Sequence, residues 1–293
     1  MRLLDWATLI ALGALWGASF YFIGVAVREI DPLTLVFLRV AIAAGALWII
    51  VLLTRQKLDG LAENFPALFV LALINNVVPF TLIFIGQTAI GAGLASVLNA
   101  TTPFWTIVIA WLFGIEREPP AHKLAGIAVG VVGAAIMIGP GIAAGLGGPV
   151  WAKLAIIGAA ISYGFAAAWA RRFSSLPPLL VATGQLTGSS VAMLPIMAFA
   201  GIPATAFGAS ETALSAVIAL ALLSTAFAYV LYFRLIASAG ATNASLVTMI
   251  VPASALALGV LFLGERLETW EIAGMLVVLA GLVTIDGRVF HWR

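Results

Sequence analysis

The sequence predicts an all-α membrane protein with ten transmembrane helices arranged in two inverted five-helix repeats. Three observations support this fold class: an apolar composition, ten apolar runs of similar length, and a block of residues that occurs twice. Of the 293 residues, 63% are hydrophobic and only 9% are charged, and the mean hydropathy is +1.16. Soluble domains carry about 25% charged residues, so this composition excludes a soluble core.

The apolar runs have the length of membrane-spanning helices. Each holds about 18 to 25 residues, which suffices to cross a bilayer as a helix, and short clusters of ionisable residues separate the runs. A membrane β-barrel would show alternating segments of about ten residues instead. The predicted spans are residues 4–27, 33–54, 66–88, 91–114, 122–139, 150–171, 178–200, 212–236, 240–263 and 269–287.

The distribution of cations predicts the orientation of the chain. If both termini are cytoplasmic, the inner loops and tails hold Arg2, Arg55, Lys57, Arg117, Lys123, Arg171, Arg172, Arg234, Arg288 and Arg293. The outer loops then hold only Arg28, Lys153 and Arg266. Lys and Arg are enriched in cytoplasmic loops, so we expect a multi-pass protein of the bacterial inner membrane with both termini inside. The lipid bilayer is an expected partner, and nucleic acid is not, because the cations share no face.

Two segments repeat at a constant offset of 149 residues: GAGLASVLNATTPFWTIVIAWLFGIER (91–117) and GATNASLVTMIVPASALALGVLFLGER (240–266). The chain therefore divides into a first five-helix repeat (1–140), a Gly-rich linker (141–149) and a second repeat (150–293). An odd number of spans per repeat inverts the second copy in the membrane. Inverted repeats are typical of secondary transporters, whose substrate site lies near the midplane between the halves.

At these residues the sequence resembles the drug/metabolite transporter superfamily, specifically its ten-span members built from two EamA-type repeats. The resemblance rests on the paired G-A-x-x-A-S-x6-P-x8-L-F-x-x-E-R blocks and on FLRVAIAAGAL (37–47), which contains the lone Arg39. Within the superfamily the chain is similar to the YddG-type exporters of aromatic and other amino acids. A weaker repeat at an offset of 145 places Gly184 opposite Arg39, so no symmetric role is expected for the arginine.

The spans offer few residues for catalysis or metal binding. The chain has no cysteine, and every Asp, Glu and His falls at a span end or in a loop by the predicted boundaries. We therefore expect no enzyme, no metal and no cofactor. A proton-driven carrier places a titratable group inside its spans, so facilitated transport is expected instead of proton coupling.

Polar and aromatic side chains near mid-depth are the candidates for a substrate cavity. Ser and Thr can instead bond to their own helix, and aromatic residues can face lipid or pack between helices. The asparagines are better candidates for the cavity wall, because a side-chain amide cannot form all of its hydrogen bonds within its own helix. The candidates are Trp16, Ser19, Asn75, Asn76, Pro79, Asn99, Thr102, Trp105, Tyr163, Thr225, Tyr229, Ser245 and Thr248.

Arg39 and the prolines inside the spans are candidates for gating or structural roles. Each of Pro79, Pro103 and Pro252 frees a backbone carbonyl, so each predicts a kink or a hinge. Arg39 lies about six residues into the second span. Three roles are open to it: reaching the outer interface with its side chain, holding the fold or gate through backbone carbonyls, and pairing with a substrate carboxylate.

These features favour a secondary transporter that exports small amphipathic metabolites by alternating access through a central cavity. Amides, hydroxyls and aromatic rings without a placed charge suit neutral or zwitterionic solutes, amino acids including aromatic ones above all. The alternatives are a membrane-embedded enzyme, a non-transporting interaction protein, and a transporter of other drugs or metabolites. The sequence leaves the substrate, the direction of flux and the oligomeric state open.

Overall fold

The computed structural model describes residues 2–115, 118–138, 150–201, 208–240, 244 and 246–286. All regular structure in this part of the chain is helical. Eight helices are long and apolar enough to cross a membrane, and two shorter apolar helices follow them. The ten spans are α1 (Leu3–Ala26), α2 (Pro32–Leu53), α3 (Leu61–Gln87), α4 (Ala92–Leu112), α5 (Ala121–Ile138), α6 (Val150–Phe173), α7 (Pro178–Ala200), α8 (Glu211–Ala239), α9 (Val247–Leu263) and α10 (Thr269–Asp286).

Local sequence signals set several helix starts. The Asp31 carboxylate accepts hydrogen bonds from the backbone N–H groups of Leu33 and Thr34, and Pro32 occupies the first position of α2, where a missing N–H costs nothing. The Ser210 hydroxyl caps α8 in the same way by accepting from Ala213 N–H. Helix α3 begins at Leu61, five residues before the predicted start, after Gly60 in the left-handed conformation (φ 78°).

Two helices contain a π-helical turn at equivalent positions of the repeat. The turn in α3 covers Leu73–Val77 and the turn in α8 covers Leu222–Phe227, so the two begin 149 residues apart. In α3 the wider turn precedes Pro79, which cannot donate to the helix and whose ring would meet the carbonyl four residues back. In α8 no proline follows the turn, and the Thr225 hydroxyl bonds to the Leu220 carbonyl instead.

Pro103 and Pro252 were also predicted to kink their helices, and only Pro103 does so. Helix α4 is interrupted between Ala92–Asn99 and Thr102–Leu112, immediately before Pro103. Helix α9 continues through Pro252 without a break. The identical repeat position therefore produces two different local structures.

Contacts between the halves have the symmetry expected for two equivalent repeats. For the more extensive of these contacts, when each helix of a contacting pair is replaced by its counterpart in the other repeat, the resulting pair is also in contact. Helix α1 packs against α9 and α8, and its counterpart α6 packs against α4 and α3. Helix α2 packs against α8, as its counterpart α7 packs against α3, and the pairs α2–α7 and α5–α10 are their own counterparts. This pattern is that of a pseudo-two-fold axis relating two five-helix units.

Helices α5 and α10 approach so closely that their backbones touch. A Cβ added at Gly133 would lie 2.6 Å from the backbone nitrogen of Val278, and one at Gly281 would lie 2.7 Å from the carbonyl oxygen of Gly126. Glycines at such contacts are the usual basis of close helix packing in membranes. This pair lies beside the other eight helices and contributes no wall to the cavity described below.

Several charged residues that the sequence places at span ends or in loops make specific contacts. We call the end of the bundle formed by loops 27–31, 88–91 and 264–268 the linker side, and the end with residue 2 and loops 54–60 and 174–177 the terminal side. On the linker side, Lys153 is fully buried and its Nζ lies 3.2 Å from a carboxylate oxygen of Glu271. The Glu265 carboxylate accepts from the N–H groups of Ala92 and Gly93 at the start of α4. Its repeat counterpart, the pair Glu116 and Arg117, lies outside the described residues.

Candidate functional site

A cavity of about 450 Å³ lies between the two halves of the described chain. Helices α1, α2, α3 and α4 of the first repeat and α6, α7, α8 and α9 of the second contribute its wall. Its position between the repeats is the one that inverted-repeat architecture favours for a substrate site. Its volume lies within the range of small-molecule pockets.

One part of the wall is a continuous set of aromatic rings. The rings of Trp16 and Tyr232 lie 5.3 Å apart, Tyr232 and Phe233 lie 5.8 Å apart, and Tyr229 stacks on Phe233 at 5.9 Å. All four residues line the cavity. Such a surface is suited to contact the apolar body of an amphipathic molecule.

A polar network crosses the cavity wall beside these rings. Asn75 on α3 donates from Nδ2 to Oε1 of Gln185 on α7 at 2.9 Å, and the Tyr229 hydroxyl lies next to both amides. Two further polar atoms in lining residues are buried without any partner in the described protein, namely Oγ of Ser224 and Oδ1 of Asn99. Buried polar groups are normally hydrogen-bonded, so these two atoms are available to water or a solute.

Arg39 is the only charged residue among the described residues that line the cavity. Its side chain is 7% exposed, its Nε donates to the Thr225 hydroxyl at 3.0 Å, and its guanidinium lies 3.8 Å from the ring centroid of Phe80. Extension of Arg39 toward the outer interface, one of the three predicted roles, is therefore wrong. The expectation that the cavity contains no placed cation is also wrong, because the pattern that located Arg39 in the span does not give the direction of its side chain.

Most of the candidate residues line this cavity: Trp16, Ser19, Arg39, Asn75, Asn99, Thr102, Pro103, Tyr163, Thr225, Tyr229 and Thr248. Two of their hydroxyls also bond to their own helix, since Ser19 donates to the Trp16 carbonyl and Thr102 to the Asn99 carbonyl. Ser245 lies outside the described residues. That these residues bind a solute stays a prediction.

Four candidates lie outside the cavity wall. Asn76 is fully buried between α3 and α7, where its Nδ2 donates to the Ser189 hydroxyl at 2.9 Å. Trp105 is half-buried, its indole nitrogen has no partner in the described protein, and its backbone packs against Gly164 of α6. Pro79 and Pro252 shape or continue their helices without contacting the cavity.

Sequence reasoning did not select Gln185, Ser224 or Tyr232 as site residues. Two of them were detectable through the repeat. Ser224 lies 149 residues after Asn75, and counting from the observed helix starts, Pro32 and Pro178, places Gln185 opposite Arg39. The weaker offset of 145 is one residue short here, which is why it placed Gly184 there.

The two ends of the cavity differ in exposure. Toward the linker side, Ile23, Ile83 and Ser96 line it close to the ends of their helices, and each is at most 4% exposed. Gln87 of α3 ties this end together by donating to the Phe20 carbonyl of α1 at 2.8 Å. Toward the terminal side, the lining residue Ala167 is exposed and Val181 is half-buried. The lining residues named at the linker side are thus more deeply buried than the two named at the terminal side.

A ten-span bundle of two inverted repeats around a central cavity has the architecture of a secondary transporter. The comparison with protein families agrees with this class. The chain belongs to the EamA-like transporter family, whose family model matches residues 5–139 and again residues 150–285.

Individual relatives are similar over almost the whole chain. An uncharacterized inner membrane transporter of Escherichia coli K12, YedA, is 29% identical and the match covers 96% of this chain and 91% of the relative. The uncharacterized transporter YoaV of Bacillus subtilis is 25% identical, with 94% of each chain covered. A probable terminal-alkyne amino-acid exporter of Streptantibioticus cattleyicolor is 27% identical, over 92% of this chain and 86% of the relative.

The comparison with solved structures supports the same fold. One crystal structure superposes with a TM-score of 0.69 and covers 100% of both chains. Its sequence identity is 15%, so the likeness concerns the fold alone.

Proposed function

We propose that this protein is a secondary transporter that exports small amphipathic metabolites, amino acids including aromatic ones foremost, by alternating access. The observation that carries the proposal is the cavity between the repeats, which combines an aromatic wall with buried polar atoms that have no protein partner. The relative named as a probable terminal-alkyne amino-acid exporter supports the substrate class.

The repeat supplies a basis for alternating access. In the structure, the linker-side end of the cavity is formed mainly by α1, α3 and α4, and the terminal-side end by the counterparts α6, α8 and α9. If the two repeats exchange conformations, α6, α8 and α9 close the terminal side while α1, α3 and α4 separate on the linker side. The π turns in α3 and α8 lie beside the cavity at equivalent positions, where such a helix can bend.

The proposed orientation determines the side of the membrane from which this conformation takes up its solute. The positive-inside distribution puts the terminal side in the cytoplasm, so the cavity of this structure takes up its solute from inside the cell. A cysteine at Lys57 should then be protected from a membrane-impermeant thiol reagent added outside, whereas one at Asp31 should react. Labelling of Lys57→Cys from outside would reverse the orientation and with it the proposed direction.

Counterflow in proteoliposomes tests the function. Vesicles loaded with an unlabelled solute should accumulate the labelled form of the same solute only when that solute is a substrate. We expect counterflow of phenylalanine, tryptophan or other amphipathic amino acids, and none in protein-free vesicles. Counterflow confined to non-amino-acid metabolites would contradict the substrate class, and its absence for a broad solute panel would contradict transport.

The same assay addresses energy coupling, for which the sequence favours facilitated transport. With equal solute on both sides, a clamped membrane potential and an imposed pH gradient, we expect no net accumulation. Accumulation that a protonophore abolishes would contradict this proposal and direct attention to the buried Asp5 and Glu271.

A further inference from the structure

We infer that Arg39 is the binding site for a carboxylate of the transported solute, and that the site accepts one carboxylate per solute. This inference deepens the proposed function. It rests on that proposal in one respect, namely that the cavity is where the solute binds. It is based on the buried guanidinium of Arg39, whose described hydrogen-bond partners do not cover all of its nitrogens.

Arg39 is held in place by contacts that leave its outer edge free. Its Nε donates to the Thr225 hydroxyl, and its face lies over Phe80, with the Phe84 ring 5.7 Å away. Neither terminal amino group has a hydrogen-bond acceptor among the described residues. Since two of the three nitrogens remain unpaired on a side chain that is only 7% exposed, the guanidinium presents a fixed pair of donors to the cavity.

No acidic side chain among the described residues forms an ion pair with Arg39. The described lining of the cavity contains no Asp or Glu, and the groups within reach of the guanidinium are neutral. A cluster of carboxylates on the linker side, Glu265, Glu268 and Glu271, lines a separate pocket together with Lys153. A buried charge without a counter-ion is costly, so an anionic ligand gains from neutralising it.

The geometry of the free edge favours a carboxylate. Guanidinium and carboxylate groups pair through two parallel N–H···O bonds, and such charge-assisted pairs are stronger than neutral hydrogen bonds. The described cavity wall offers one cation, whereas a phosphate dianion carries about two charges. One carboxylate therefore matches the site better than a phosphate.

The second repeat does not provide a second anion site. The position equivalent to Arg39 by helix start is Gln185, whose Oε1 already accepts from Asn75. The solute is consequently held with its carboxylate at the α2–α8 wall, next to Ser224, which immediately precedes Arg39's partner Thr225 in α8. The ammonium group of an amino acid then meets neutral acceptors such as the Ser224 hydroxyl, and the apolar part meets the aromatic wall.

Binding to the purified protein in detergent tests the inference with four matched ligands: L-phenylalanine, 3-phenylpropionate, phenethylamine and phenyl phosphate. Calorimetric titration of the wild type should give tighter binding of the two carboxylates, by at least about tenfold over phenethylamine. In Arg39→Gln this preference should disappear, while the weak affinity for phenethylamine changes little. Arg39→Lys, which keeps the charge and loses the paired donors, should give an intermediate preference.

The outcomes separate this inference from the proposed function. Binding of 3-phenylpropionate without L-phenylalanine would support the carboxylate site and contradict amino-acid transport. Wild-type preference for phenethylamine or for phenyl phosphate would overturn the carboxylate site, as would an equal loss of all ligands in a folded Arg39→Gln protein. If Arg39→Gln does not fold, the wild-type ranking still decides, and Thr225→Val, which removes the Nε anchor, should weaken the carboxylates selectively.

Discussion

Neighbouring asparagines on α3 have different environments in the structure. Asn75 lines the cavity and donates to Gln185, whereas Asn76 is fully buried and donates to Ser189 of α7. The π turn that contains both residues widens the helix, so ordinary helical spacing does not predict which of the two faces the cavity. The sequence could locate the pair and could not separate their roles.

This difference predicts opposite effects of two equivalent substitutions. Asn75→Ala should lower counterflow roughly tenfold with little loss of thermal stability, because it removes a polar group from the cavity wall. Asn76→Ala should lower the stability by about 1 kcal/mol and leave counterflow per folded molecule near the wild-type value. Thermal unfolding in detergent and counterflow, measured on both variants, check the pair. A flux defect confined to Asn76→Ala would contradict the assignment.

A second residue-scale feature is the buried ion pair between Lys153 of α6 and Glu271 of α10. Lys153 also donates to the carbonyl of Met137 at 2.9 Å, so it joins the end of α5 to two other helices. Span boundaries placed both residues near the membrane surface, and only the packing of three helix ends buries them. The sequence therefore predicted that both residues lie near the membrane surface, and it did not predict that they pair with each other.

Removing Lys153 should destabilise the fold by about 3 kcal/mol, because Glu271 then remains buried without a counter-ion. The double variant Lys153→Met/Glu271→Gln should be more stable than Lys153→Met alone, since it removes the unpaired charge. Thermal unfolding of the three variants measures both effects, with Lys57→Met at the exposed Lys57 as a control. A double variant no more stable than Lys153→Met would show that the ion pair is not the source of the loss.

At the scale of helices, glycine marks the contacts that cannot accept a side chain. A methyl group at Gly133 would meet the backbone of α10 at 2.6 Å, whereas one at Gly45 of α2 would meet nothing within 4 Å. Glycines at such positions are typical of close helix packing in membranes. The partner helix was not predictable, because the sequence does not state which faces meet.

The two glycines form a matched pair for measurement. Gly133→Ala should lower the free energy of unfolding by about 1 to 3 kcal/mol through overpacking at α10. Gly45→Ala should leave stability unchanged or raise it by up to about 1 kcal/mol, because Ala is the better helix former. Thermal melts of the two variants compare them directly, and equal melting temperatures would contradict the close contact.

For the whole molecule, the repeat was the most informative part of the sequence. The apolar runs predicted ten spans, and the repeat predicted their division into equivalent halves and the location of the cavity between them, because a duplicated unit with an odd number of spans has few ways to pack. Arg39, Gln185 and Ser224 show what it left open. Their roles depend on side-chain direction, which differs between the halves wherever the two copies of the repeat have different residues.

The central claim is that the two repeats open the cavity alternately, and the linker-side closure is where it is tested. Gly24 of α1 lies between α9 and α3, since a Cβ added there would lie 3.1 Å from Cδ1 of Leu263 and 3.7 Å from Nε2 of Gln87. The chain has no cysteine, so Gly24→Cys/Gln87→Cys introduces one reactive pair across this closure. A short bifunctional thiol reagent with a reducible spacer then joins α1 to α3.

Counterflow of the cross-linked protein is the most direct measurement, with each single-cysteine variant treated identically as the control. The account predicts that cross-linking abolishes counterflow and that reduction restores it, because α1 and α3 must separate to release the solute on the linker side. Counterflow at the rate of the reduced protein, with cross-linking complete, would contradict alternating access through this cavity.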